Sequence, residues 1–314
     1  MVDATRETAL VSEVGPRDGL QMAAGRMATA DKLAWIDALA AAGLREIEVG
    51  AFGPAKALPM MADIEAVVAH ALAIPGLTVA ALAPNLKGGE RALAAGVHKI
   101  TLPVSVSRSH STANVNKPPE AAVAELAALR RLCDARPEGA RPAIEGGLST
   151  AFGCTIEGAV AEDAVVRLAA MLAEAGADAM GLADTAGMAH PRQVARLVAR
   201  VSAEVGPLLD GVHLHNANGL GLANACAAFE AGVRTFDASL AGLGGCPFAP
   251  GPSGNIATED LVHLFDLMGV ETGVDLEKLL AARDVLARAL PGEPLHGAVA
   301  ALPPKLRAVS GRAA

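Results

Sequence analysis

The stretch VAEDAVVRLAAMLAEAGADAMGLAD, Val160–Asp184, decides how this chain reads. Val160–Ala175 is an Ala/Leu-rich segment with helical period, Gly176 can take the left-handed conformation that ends a helix, and Ala179–Leu182 is a short strand-like run. The same unit recurs along the chain. Candidate strands are Ala9–Val14, Glu46–Val49, Thr78–Leu82, Lys99–Val104, Ala143–Leu148, Ala179–Leu182, Val212–Leu214 and Arg234–Ala238. Between them lie helical patterns such as Ala30–Ala42, Pro119–Cys133 and Pro191–Val205. Gly43, Gly96 and Gly232 repeat the stop signal, while Pro191 and Thr258, the latter ahead of Glu259 and Asp260, mark helix starts. Eight β-α units in sequence predict a (β/α)8 TIM barrel. No GxGxxG follows the first strand, which argues against an open dinucleotide-binding sheet.

The 314 residues suit one such barrel, read as residues 1–290, with a Pro-containing tail at 291–314. Half of the residues are apolar but only 2% are aromatic, so the core must be built from Ala, Val, Leu and Ile. A formal charge of −8 does not suit a phosphate-backbone surface, so no nucleic acid partner is expected. No apolar run approaches the roughly 20 residues that span a bilayer, so no membrane partner is expected either. The strand-like start near Ala9 leaves little room for a leader, and the reading is cytoplasmic. Cys133, Cys154, Cys226 and Cys246 have no CxxC spacing and read as free thiols.

In a barrel the chemistry collects at the carboxyl ends of the strands. The first strand runs into Gly15-Pro16-Arg17-Asp18-Gly19, the second carries Glu48, the third reaches Asn85, the sixth ends at Asp184, and the seventh carries His213 and His215. Two histidines two residues apart on a strand face the same way and can share one ion. Asp18 would add an anionic oxygen and Asn255 a neutral one. That donor set suits octahedral Mg2+ or Mn2+ better than a thiolate-bound zinc. Arg17 could face a developing enolate oxygen, or simply form an ion pair in a turn. Glu48 lies in an apolar strand and needs a cation, for which Arg17 is the natural partner. Cys246, in Gly244-Gly245-Cys246-Pro247, is placed for proton transfer on a glycine loop, although most lone cysteines are inert. Asp184 could bind substrate or cap a helix.

These residues also carry a resemblance. EVGPRDGLQ (Glu13–Gln21), LAPNLKG (Leu82–Gly88), ANVNK (Ala113–Lys117), HLHNANGLGLAN (His213–Asn224) and AGLGGCPFAPGPSGNIATEDL (Ala241–Leu261) resemble the 3-hydroxy-3-methylglutaryl-CoA lyases over nearly the whole chain. The resemblance implies Asp18, His213, His215 and Asn255 as metal ligands, and catalytic roles for Arg17, Glu48, Cys246 and His213. It implies an acyl-CoA substrate cleaved between C2 and C3 to acetyl-CoA and a 3-keto acid, and a homo-oligomer, with a dimer favoured. Asn85, Asp184 and Lys87, near the strand ends, are candidate contacts to the acyl-CoA. Lys56, Arg108 and Lys117 are further candidates for the CoA phosphates. The chain departs from the pattern at Asn216-Ala217-Asn218, where an acidic residue and Thr are expected, and at Gly181, where some members have Ser. Both departures bear on substrate identity more than on reaction type. A Claisen-condensing acyltransferase and a non-catalytic acyl-CoA-binding barrel are the competing readings.

Overall fold

The computed structural model describes residues 7–137, 139–244 and 254–307. Eight parallel strands close into a barrel in sequence order: β1 (Leu10–Glu13), β2 (Glu46–Ala51), β3 (Thr78–Leu82), β4 (Lys99–Ser105), β5 (Ala143–Ser149), β6 (Ala179–Asp184), β7 (Leu209–Leu214) and β8 (Thr235–Ala238), with β8 pairing back to β1. Each strand is followed by at least one helix, from Thr29–Ala41 after β1 to Thr258–Met268 after β8. The barrel is thus as expected from the alternation of periods. Gly43, Gly96, Gly176 and Gly232 all have positive φ where helices give way to strands. Among the described residues no helix is long and apolar enough to cross a membrane.

The core between sheet and helices is aliphatic, with Trp35 and a small cluster of Phe229, Phe236 and Phe265 beneath the eighth unit. The barrel interior is more polar than the layers of branched apolar side chains usual in this fold. Lys99 pairs with Glu46 (2.5 Å) and Glu145 (3.1 Å), and Thr101 donates to Glu145. Above them, strand register sets Pro103, Gly147, Gly181 and Gly211 side by side across β4–β7. The next inward-facing row includes His213 of β7, in register with Ala183 of β6 and Asp237 of β8.

Fully buried Glu13 ties the ends of β1 and β8 together. Its Oε1 accepts from the backbone of Gly15 and Leu240, both at 2.9 Å, and its Oε2 accepts from the Thr258 hydroxyl at 2.6 Å. Thr258 begins the helix Thr258–Met268, as expected from the sequence. It stands inside the first turn, after an extended Ala257, and spends its hydroxyl on Glu13. Gly15 is required here by packing, since a Cβ would stand 2.5 Å from Glu13 Oε1. Burial raises the Glu13 carboxyl from 4.5 to about 7, against the lowering effect of its three hydrogen bonds. A raised folded value means that the native state holds a proton the unfolded chain has lost, so stability is full below pH 4.5 and falls as pH rises through 7. Neutral Gln can keep all three contacts, because the Thr258 hydroxyl can also accept. Glu13→Gln is therefore expected to gain up to about 3 kcal/mol over the wild type at pH 8, and little at pH 4. Urea denaturation at the two pH values measures this, and an equal effect at both would refute the assignment.

The segment beyond Leu290 lies against the helices Thr258–Met268 and Leu276–Ala289. The Asp260 carboxylate accepts from the backbone of Ala298 and Val299, the His296 amide donates to the Ala241 carbonyl, and Arg307 pairs with Glu277. Buried Glu259 pairs with Arg283, which also donates to the His296 carbonyl. The described part of the tail wraps the barrel.

Candidate active site

A cavity of about 370 Å3 opens at the carboxyl end of the strands. The turn after β1, Gly15–Gly19, is a single π-helical turn whose Arg17, Asp18 and Gly19 amides all point to the Val14 carbonyl. Wide turns of this kind recur at functional sites. This one delivers both Arg17 and Asp18 to the cavity. β7 delivers His213 and His215 to the same place.

Asp18, His213 and His215 bring one ligand atom each within 4.8 Å of one another and form a candidate metal site. His213 Nε2 lies 3.1 Å from His215 Nε2 and 3.9 Å from Asp18 Oδ2. Two ligand atoms about 2.1 Å from one ion, at right angles to each other, would stand about 3 Å apart. The far nitrogen of His213, Nδ1, meets Asp237 Oδ2 at 3.1 Å, the carboxylate backing typical of metal-binding imidazoles. His215 is buried beside Asn255, its β-bridge partner. Held in this way, both rings turn Nε2 inward. The donor set thus fits a divalent cation.

The charges agree. Burial lowers His215 to about 4, with His213 adding to the effect, so this ring is neutral at physiological pH. Burial would lower His213 too, but Asp237 and Asp18 outweigh it and raise its pKa. Burial opposes ionisation of Asp18, yet Arg17, the two histidines and Asn255 hold its carboxyl well below the usual range. Asn255 reaches the group by pairing beside His215, and its amide nitrogen donates to Asp18 Oδ2 at 2.8 Å. A half-turn of that amide would present oxygen at the same position.

Arg17 bonds through Nε to Glu48 and through a terminal nitrogen to Asp18 at 2.5 Å. The partner expected for Glu48 is thus in place. Glu48 stands behind Arg17 and does not line the cavity; its Oε1 is buried without a hydrogen-bond partner. Burial raises Glu48 to about 7 despite the guanidinium. Glu48 thus holds the Arg17 guanidinium from behind.

Three residues expected to contact the substrate are outside the lining of this cavity. Asn85 caps the helix Leu86–Ala95, its Oδ1 accepting from the Gly88 amide at 2.9 Å. Asp184 is buried and accepts from the backbone of Met188 (2.9 Å) and Ala189 (3.1 Å), so it organises the turn after β6; burial raises its carboxyl to about 6. Lys87 is exposed and outside the cavity lining. Of the other basic candidates, Lys117 pairs with Glu125, Arg108 pairs with Glu120, and Lys56 is exposed. Cys246 lies outside the described residues. Sequence reasoning missed Asp237, His110 and Asn114, all of which line the cavity. Asp237 could have been found, because it is the sole carboxylate in the expected eighth strand, Arg234–Ala238, and that strand neighbours the one carrying the histidines.

Fold and site together define a TIM-barrel enzyme with a candidate carboxylate–histidine metal site at its mouth. The HMGL-like family model matches residues 9–286. The chain is 38% identical over 285 residues to the hydroxymethylglutaryl-CoA lyase YngG of Bacillus subtilis, covering 91% of this chain and 94% of that protein. It is also 38% identical over 304 residues to the (R)-citramalyl-CoA lyase of Chloroflexus aurantiacus, covering 93% and 94%. A solved HMG-CoA lyase of Acinetobacter baumannii, in complex with coenzyme A and 3-methylmalate, superposes with a TM-score of 0.88 at 37% identity, covering 95% of this chain and 96% of that one. This chain belongs to the HMGL-like family.

Proposed function

We propose that this protein is a metal-dependent carbon–carbon lyase that cleaves 3-hydroxy-3-methylglutaryl-CoA, or a close homologue branched at C3, to acetyl-CoA and a 3-keto acid. The observation that carries this reading is the convergence of Asp18, His213 and His215 beside Arg17 in one cavity, on a chain of this family. Asp18, His213, His215 and Asn255 would hold Mg2+ or Mn2+. Such an ion supplies positive charge that orients the substrate oxygens and acidifies its tertiary hydroxyl.

In the reaction the hydroxyl proton passes to a base, the C2–C3 bond breaks, and its electron pair stays on C2 as the acetyl-CoA enolate. The C3 oxygen becomes the ketone of the departing acid. Arg17, fixed by Glu48 and Asp18, stands at the cavity wall with its charge preorganised for the enolate oxygen. Cys246 is the proposed proton donor to C2. The CoA moiety would remain at the mouth, near Asn114 and Val115 of the helix Arg108–Val115. A homo-oligomer and a cytoplasmic location complete the proposal.

The test is a product assay with Mg2+ over a panel of branched 3-hydroxyacyl-CoAs. Acetyl-CoA and a keto acid are expected from at least one of them, and none from any would refute the lyase reading. The lyase names of the relatives and the complex with CoA and 3-methylmalate support cleavage over condensation. Formation of a CoA-bound condensation product from acetyl-CoA and pyruvate or 2-ketoisovalerate, without cleavage of the panel, would reverse that ranking.

A further inference from the structure

The interior row beneath the metal site holds almost no side chains. Gly147, Gly181 and Gly211 are register partners on β5, β6 and β7, with Pro103 beside them on β4, and all four line the cavity. Gly211 is two residues before His213 on the same strand, so this space lies directly below the imidazoles. None of the three glycines has positive φ. A Cβ at Gly147 would come no closer than 3.6 Å to any neighbour, and one at Gly211 no closer than 3.7 Å. Backbone conformation therefore does not require glycine at these positions, and larger residues would fit at least two of them. Glycine inside a strand costs stability and commonly marks a place where a ligand comes close.

The floor of this space has a definite polarity. Glu145 Oε2 receives Thr101 and Lys99, whereas Oε1 faces the glycine row: a Cβ at Gly181 would stand 3.0 Å from it and one at Gly211 3.8 Å. Glu46 and Glu145 both pair with Lys99, so two carboxylates share one ammonium. A ligand carboxylate would meet net negative charge there. A plain alkyl chain reaching the floor would strip water from Oε1 without replacing its hydrogen bond. A hydroxyl can donate to it.

We propose that the glycine row is a specificity pocket for the C3 substituent of the substrate, and that it accepts an uncharged arm longer than methyl ending in a hydroxyl that donates to Glu145. The inference rests on the lyase reading, which puts the C3 hydroxyl at the metal site and the bulky CoA at the mouth. That leaves a C3 arm as the group able to point down the barrel.

The test compares three CoA thioesters of 3-hydroxyglutarate that carry methyl, 3-hydroxypropyl or butyl at C3, the last two being of equal size. Wild-type kcat/KM is expected to favour hydroxypropyl over butyl by at least about tenfold. Gly147→Val should lower the hydroxypropyl-to-methyl ratio by at least about tenfold, because the added side chain occupies the pocket. Gly211→Ala, a smaller change, should lower the same ratio and serves if the first variant does not fold. Equal rates for hydroxypropyl and butyl, or an unchanged ratio in the folded variants, would overturn the pocket while cleavage of the methyl compound leaves the lyase reading standing. Absence of cleavage with all three compounds overturns both.

Discussion

Asp18→Asn is expected to abolish measurable turnover, with kcat falling by at least about 10²–10³-fold, while the fold survives. The amide occupies the same volume and can still accept from Arg17. It removes the one formal negative charge among the candidate ligands, and with it most of the reason for a dication to sit between two neutral imidazoles. It also removes one of the two carboxylates that raise His213, so that ring should titrate at lower pH in the variant. Calorimetric titration with Mn2+ should show weakened binding in Asp18→Asn and in His213→Ala alike. The second substitution also leaves Asp237 without its imidazole. Wild-type metal affinity and rate in both variants would remove these residues from the centre.

The second large effect is expected at Arg17. Arg17→Lys keeps the charge but should lower kcat about 10²–10³-fold, with a smaller change in KM. One guanidinium serves Glu48 through Nε and Asp18 through a terminal nitrogen while lining the cavity. An ammonium is a single donor point on a flexible stem and cannot hold that fork. Losing the bond to Glu48 also leaves a buried carboxylate whose other oxygen already lacks a partner, so Glu48 should take up a proton. If Arg17 only binds the substrate, KM should rise with kcat unchanged; that outcome would rule out a role in the transition state.

Much of the barrel was legible in the sequence because its helices and strands differ in period and glycines separate them. Where strand ends were misplaced, function explains part of the difference. β7 begins at Leu209, three residues before the expected Val212, and the added Gly211 lines the cavity. The polar residues were harder to assign. His213, His215 and Asp18 declare themselves by type and spacing, and so does the pairing of Arg17 with Glu48. Asn85 and Asp184 have the same chemical character, yet their oxygens are taken up by backbone amides. A sequence shows that a polar group is present near a strand end. It does not show whether a turn will consume it. Asp237, Glu13 and Glu145 escaped notice for a related reason: each acts through a neighbour on another strand or helix, a relation set by barrel register.

Bond cleavage by this protein is expected to require a divalent ion. Protein stripped with chelator and incubated with 3-hydroxy-3-methylglutaryl-CoA should yield no acetyl-CoA. Adding Mg2+ or Mn2+ to the same sample should release acetyl-CoA and acetoacetate in equal amounts. Equal product with and without the ion would contradict the proposed role of Asp18, His213 and His215.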